Sequence, residues 1–73
     1  MSYNDFIEFI QRTDVKFNFE TVVKCCTTII EIDFDSIEKK DHQLIKDFFT
    51  TASSLKLIPK EYNKQIDELL EKI

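Results

Sequence analysis

The sequence predicts an all-α fold, a small three- or four-helix bundle. Three observations carry this expectation: the chain has no glycine and one proline, apolar residues recur at helical spacing in several stretches, and no stretch alternates convincingly as a strand would. With 73 residues, a single domain over 1–73 is expected, because a second core could not be enclosed at this length.

The first segment, Ser2 to about Thr13, reads as a helix. Ser2 with Asp5 three residues later fits a capping box, and Phe6, Ile7 and Ile10 fall on one face. Phe9 lies off that stripe, where it would cover a neighbouring loop. Residues 14–35 are ambiguous. Phe19, Val22, Val23, Cys26 and Ile30 follow helical spacing, but Thr-Val-Val and Thr-Thr-Ile-Ile are β-branched runs of weak helix propensity. The expectation is an irregular stretch with one or two helical turns, anchored by Phe17, Val22 and Ile29 or Ile30.

A second helix is expected to start at Asp35, a natural N-cap with Glu38 three residues on to complete a capping box; Ser36 is the alternative cap. Ile37, Leu44, Ile45, Phe48, Phe49 and Ala52 supply its buried stripe, while Lys39, Lys40, Gln43, Lys46 and Asp47 are solvated. It should run to about Ala52 and fray in Thr-Ala-Ser-Ser. Pro59 suits the first turn of a short helix, where its missing N–H costs nothing. A final amphipathic stretch contributes Ile66, Leu69, Leu70 and Ile73. Residues 60–73 could form one helix or two.

Composition excludes several functions. Without glycine there is no Gly-rich phosphate loop, no dinucleotide-binding fingerprint and no nucleophile elbow. The net charge of −4 disfavours a phosphate backbone, so no nucleic acid is expected as partner. No apolar run approaches the roughly 20 residues of a membrane span, so no membrane association is expected. Cys25 and Cys26 are adjacent, an arrangement that strains a disulfide, and no Cys-x-x-Cys points to zinc or redox chemistry. Both thiols are read as reduced, at least one of them packed as a small apolar side chain, which implies a cytoplasmic location. His42 has no second histidine to pair with and reads as a surface residue. A metal site and intrinsic catalysis are therefore not expected. The starting Met and the length lead to the expectation of a free-standing monomer.

The acidic residues are unevenly placed. Glu31, Asp33, Asp35, Glu38 and Asp41 cluster within a short stretch opposed there only by Lys39 and Lys40. This is a candidate docking surface for a basic partner, or a solvated helix start favoured by the macrodipole.

Within the cluster, Glu31-Ile32-Asp33-Phe34-Asp35-Ser36-Ile37 resembles the attachment motif of the acyl carrier and peptidyl carrier protein family, Glu-Leu-Gly-(apolar)-Asp-Ser-(Leu or Ile). The segment Ile58-Pro59-Lys60-Glu61-Tyr62-Asn63-Lys64-Gln65-Ile66 is similar to the Ile-Pro-x-Glu stretch that opens that family's short third helix. The resemblance covers essentially the whole chain in element order. It implies a four-helix carrier whose Ser36 receives 4′-phosphopantetheine from a phosphopantetheinyl transferase. The arm's thiol then holds acyl or aminoacyl intermediates as thioesters. It further implies acyl- or aminoacyl-transferring enzymes as partners, docking on Asp35, Ile37, Glu38 and Asp41 beside the serine.

The chain departs from the family pattern at four points, one of them a short stretch between the last two helices. Asp33 stands where the family has glycine. Lys40, His42 and Gln43 occupy positions that are usually apolar. The distance from Ser36 to Pro59 is longer by about one helical turn. The alternative from composition alone is a small acidic helical protein that binds and inhibits or regulates a protein partner, as phage or plasmid inhibitors and immunity proteins do. A fainter resemblance to the Hha/YmoA nucleoid modulators lies in Asn4-Asp5-Phe6-Ile7-Glu8-Phe9-Ile10 and in the stretch from Gln43 to Ser53, without that family's Asp-His-Arg segment.

Overall fold

A computed structural model describes residues 2–12 and 17–73. Four helices follow one another, α1 (Tyr3–Gln11), α2 (Phe19–Glu31), α3 (His42–Ser54) and α4 (Lys60–Lys72), with two single 3₁₀ turns, Phe34–Ser36 and Lys39–Asp41, between α2 and α3. The all-α fold expected from the sequence is therefore the one observed, and the described residues contain no strand.

α1 begins as read. The Ser2 hydroxyl accepts from the Asp5 amide at 3.2 Å, satisfying one of the donors a helix start leaves free. Phe6, Ile7 and Ile10 are buried. The helix ends at Gln11; the expected end at Thr13, like the start of the ambiguous stretch at 14–16, lies outside the described residues.

The expectation of an irregular stretch up to residue 35 is corrected. Residues 19–31 form a full helix, α2. The Asn18 side chain caps it by accepting from the Thr21 amide at 2.8 Å. Val22, Cys25, Cys26 and Ile29 repeat at i, i+3, i+4 and i+7 and are all buried, so packing of one face outweighs weak propensity. The threonines are accommodated by bonding back one turn. Thr27 Oγ1 donates to the Val23 carbonyl at 3.0 Å and Thr28 Oγ1 to the Lys24 carbonyl at 2.9 Å.

The start of the second predicted helix is also corrected. α3 begins at His42, not at Asp35, and neither Asp35 nor Ser36 caps it. In an uninterrupted helix from Ser36, Asp41 would fall four residues from both Ile37 and Ile45, on the apolar stripe. A carboxylate there needs a partner, and Asp41 has one in the Tyr3 hydroxyl of α1 at 2.6 Å. Downstream the stripe is as read, with Ile45, Phe48, Phe49 and Ala52 buried and Lys46 and Asp47 exposed.

α3 runs on to Ser54 and ends in a bonded turn rather than fraying. Lys56 N–H donates to the Ser53 carbonyl and Leu57 N–H to the Ala52 carbonyl, each at 3.0 Å, the paired bonds of a Schellman motif. Lys56 holds φ 58° in the left-handed region that glycine usually fills. Pro59 sits one residue earlier than expected, as the N-cap of α4. Its carbonyl accepts from Tyr62 and Asn63 at 3.0 and 3.1 Å. Residues 60–72 form one helix, which answers the open question of one or two and departs from the separate short third helix that the carrier resemblance implies.

The helices share one core. α1 packs on α3 and α2, and α4 packs on α2 and α3. Phe6 and Phe49 stack at 6.3 Å between centroids, and Phe48 meets Phe49 edge-on at 5.1 Å. Ile37, Ile58 and Ile66 close the core from the connections and from α4.

Candidate functional site

The acidic turn between α2 and α3 carries Ser36. α2 ends at Glu31, and Ile32 and Asp33 are extended. The chain then folds tightly. Ser36 N–H donates to the Asp33 carbonyl at 2.8 Å and Ile37 N–H to the Phe34 carbonyl at 3.0 Å. The Asp33 carboxylate receives the Asp35 amide in a long 3.5 Å contact. Asp33 has φ −65° and ψ 130°, so the position where the carrier motif has glycine makes no demand for left-handed backbone.

Two side chains pin this turn to the body of the protein. Phe34 is half-buried, with its ring 5.9 Å from the His42 imidazole and the Lys72 ammonium 5.6 Å from its centroid. Ile37 is 6 % exposed and belongs to the core. Between these anchors Asp35 and Ser36 face solvent. An exposed hydroxyl on a backbone held at both ends can enter another protein's active site, and it has room for a covalent substituent.

The docking residues expected around the serine divide into two groups. Asp35 and Glu38 are exposed, and Glu38 pairs with the exposed Lys40 at 3.2 Å. Ile37 and Asp41 are corrected: both are 6 % exposed and cannot form a contact surface. Ile37 is spent on the core. Asp41 accepts from the Tyr3 hydroxyl at 2.6 Å, and the same hydroxyl accepts from the Glu38 amide at 3.2 Å. Burial raises the Tyr3 phenol above its ordinary range, and its bond to Asp41 raises it further.

Tyr3 is the site residue that sequence reasoning passed over. Its position one turn before Phe6 and Ile7 puts it on the buried stripe of α1, and a phenol there needs a partner. That need is visible in the sequence. The identity of a partner 38 residues away is not.

Beside the turn, a shallow groove of about 180 Å³ opens between the end of α2 and α4. Ile29, Ile30, Ile32, Phe34, Ile66 and Leu69 form its apolar lining, and Lys72 also lines it. His42, read as a lone surface histidine, is half-buried against Phe34.

The remaining nucleophiles lie elsewhere. Cys25 and Cys26 are free, adjacent and fully buried in α2. Burial, with a smaller contribution from Cys26, pushes the Cys25 thiol up to about 12. Burial pushes Cys26 up to about 11. Both are therefore protonated, poorly nucleophilic core residues at neutral pH. Among the described residues no group of three or more His, Cys, Asp or Glu side chains could hold a metal ion, and no helix is long and apolar enough to cross a membrane.

Comparison with protein-family models, with curated proteins and with solved structures finds no match to this chain.

Proposed function

We propose that this chain is a carrier protein whose Ser36 hydroxyl receives 4′-phosphopantetheine. The observation that carries the reading is the exposure of Ser36 on a turn pinned by Phe34 and Ile37, within the seven residues that resemble the carrier attachment motif. Once attached, the arm supplies a thiol on which acyl or aminoacyl groups travel as thioesters. The chain's own residues present the hydroxyl and offer negative charge beside it. Asp33, Asp35 and Glu38 are exposed around the serine, so a phosphopantetheinyl transferase and acyl- or aminoacyl-transferring enzymes with basic docking surfaces are the partners of this reading. It assigns the chain no catalysis of its own and a cytoplasmic place beside those enzymes.

A second reading is favoured by one specific feature. Ile37 and Asp41 are turned inward and α3 starts six residues after Ser36, which removes two expected docking positions and the helix tip from the serine's surroundings. On that reading the chain is a small acidic helical protein that binds and inhibits or regulates a protein partner.

One experiment separates the two. Co-expression with a broad-specificity phosphopantetheinyl transferase raises the intact mass by one phosphopantetheine group on the carrier reading, and Ser36→Ala abolishes the increase. An unchanged mass under conditions that modify a control carrier overturns it. The second reading then requires one stoichiometric partner in a pull-down, retained by Ser36→Ala.

A further inference from the structure

The amide of Glu38 has two possible acceptors, and the structure uses the distant one. In the turn form Glu38 N–H donates to the Tyr3 hydroxyl at 3.2 Å, and that hydroxyl donates in turn to Asp41 at 2.6 Å. In a helix capped by Asp35, Glu38 is the third helical residue, and its amide is the donor that the Asp35 carboxylate would take. Tyr3 Oη and the Asp35 carboxylate thus compete for one N–H.

The helical form would give up the 3₁₀ bonds from Ser36 and Ile37 to Asp33 and Phe34, but the sequence beyond them supports it. Glu38, Lys39 and Lys40 favour helix, and the second 3₁₀ turn already runs directly into α3. Ile37, Asp41 and Ile45 are spaced at i, i+4 and i+8, so an extended α3 would keep Ile37 and Asp41 on the face that Ile45 buries. Within that exchange the Glu38 amide passes from the Tyr3 hydroxyl to the Asp35 carboxylate.

We infer that Tyr3 is a latch: by occupying the Glu38 amide it holds residues 35–41 as two 3₁₀ turns, and its release lets α3 grow back to an Asp35 cap. The latch rests on the carrier reading only for its consequence, which is to move Ser36 from a surface turn to the first turn of a helix, where a modifying enzyme would meet it on regular backbone.

The test reads the unmodified protein, so its failure is distinct from a failure of Ser36 to gain mass. Tyr3→Phe keeps the ring and removes both the acceptor of the Glu38 amide and the donor to Asp41. Its Cα chemical shifts over residues 36–41 should move in the helical direction, with the Glu38 amide still protected from exchange. Adding Asp35→Ala should reverse that gain, while Asp35→Ala alone leaves the turns unchanged. Unaltered shifts in Tyr3→Phe, random-coil shifts there, or a helical gain that survives Asp35→Ala each overturn the latch. Should Tyr3→Phe fail to fold, relaxation dispersion on the unmutated chain reads the same equilibrium. A minor state with helical shifts at 36–41 supports the latch, and absence of exchange there overturns it.

Discussion

The ring of Phe34 lies 5.9 Å from the imidazole of His42, which fastens the turn carrying Ser36 to the first residue of α3. Lys72, from the last turn of α4, reaches the same ring. The serine's turn is therefore held by contacts from the start of α3 and the end of α4. Phe34→Ala removes these contacts together with part of the groove lining. It should cost about 1–3 kcal/mol, less than a fully buried phenylalanine because Phe34 is half-exposed. Amide exchange at Asp35, Ser36 and Ile37 should accelerate by more than the global loss explains. Unchanged exchange at those amides would show that Phe34 does not hold the turn.

Asp35 and Asp41 differ in role despite their shared charge. Asp35 is exposed, whereas Asp41 is 6 % exposed and bonded to Tyr3. Asp35→Lys should change stability by no more than about 0.5 kcal/mol. Asp41→Lys should cost more than about 1–3 kcal/mol, because the Tyr3 hydroxyl loses its acceptor and an ammonium group enters a buried position. Urea unfolding of the two variants checks this, and equal effects would contradict the burial of Asp41. The acidic docking surface is accordingly probed by reversing Asp35 and Glu38, which should weaken partner association as raised salt does.

The buried thiols set an alkaline limit on stability. In the unfolded chain both cysteines ionise near 9, and in the folded chain near about 12 for Cys25 and about 11 for Cys26. The folded state holds the extra protons in between. The contribution is present in full below pH 9 and is lost as pH rises from there toward 12. The raised phenol of Tyr3 acts in the same direction. Urea midpoints measured from pH 7 to 11 should fall over the upper part of that range, and Cys25→Ala with Cys26→Ala should flatten the decline. A flat profile in the unmutated chain would contradict it.

Lys56 adopts φ 58° at the end of α3 in a chain without glycine. A side chain in the left-handed region costs roughly 1–2 kcal/mol, partly offset by the greater freedom glycine brings to the unfolded chain. Lys56→Gly should therefore stabilise the protein by about 0.5–1 kcal/mol, read as a rise in melting temperature. A loss of stability would mean that Lys56 makes a compensating contact.

Much of the bundle is legible in the order of residues. The Ser2 cap, the Phe6, Ile7 and Ile10 face, and the Ile45, Phe48, Phe49 and Ala52 stripe need only local rules, because capping and helical periodicity act within one or two turns. Ser36 and Asp35 are exposed between the apolar anchors Phe34 and Ile37, on a turn and not at the expected helix start. Two decisions needed the whole molecule. α2 is a helix despite its β-branched runs because Val22, Cys25, Cys26 and Ile29 find a core to fill on neighbouring helices, a gain that propensity does not contain. α3 begins at His42, despite the local cap signal at Asp35, and the Tyr3 hydroxyl of α1 holds the Glu38 amide and the Asp41 carboxylate just before it. A hydrogen bond between residues 3 and 41 leaves no trace in local pattern, and the surroundings of Ser36 depend on it.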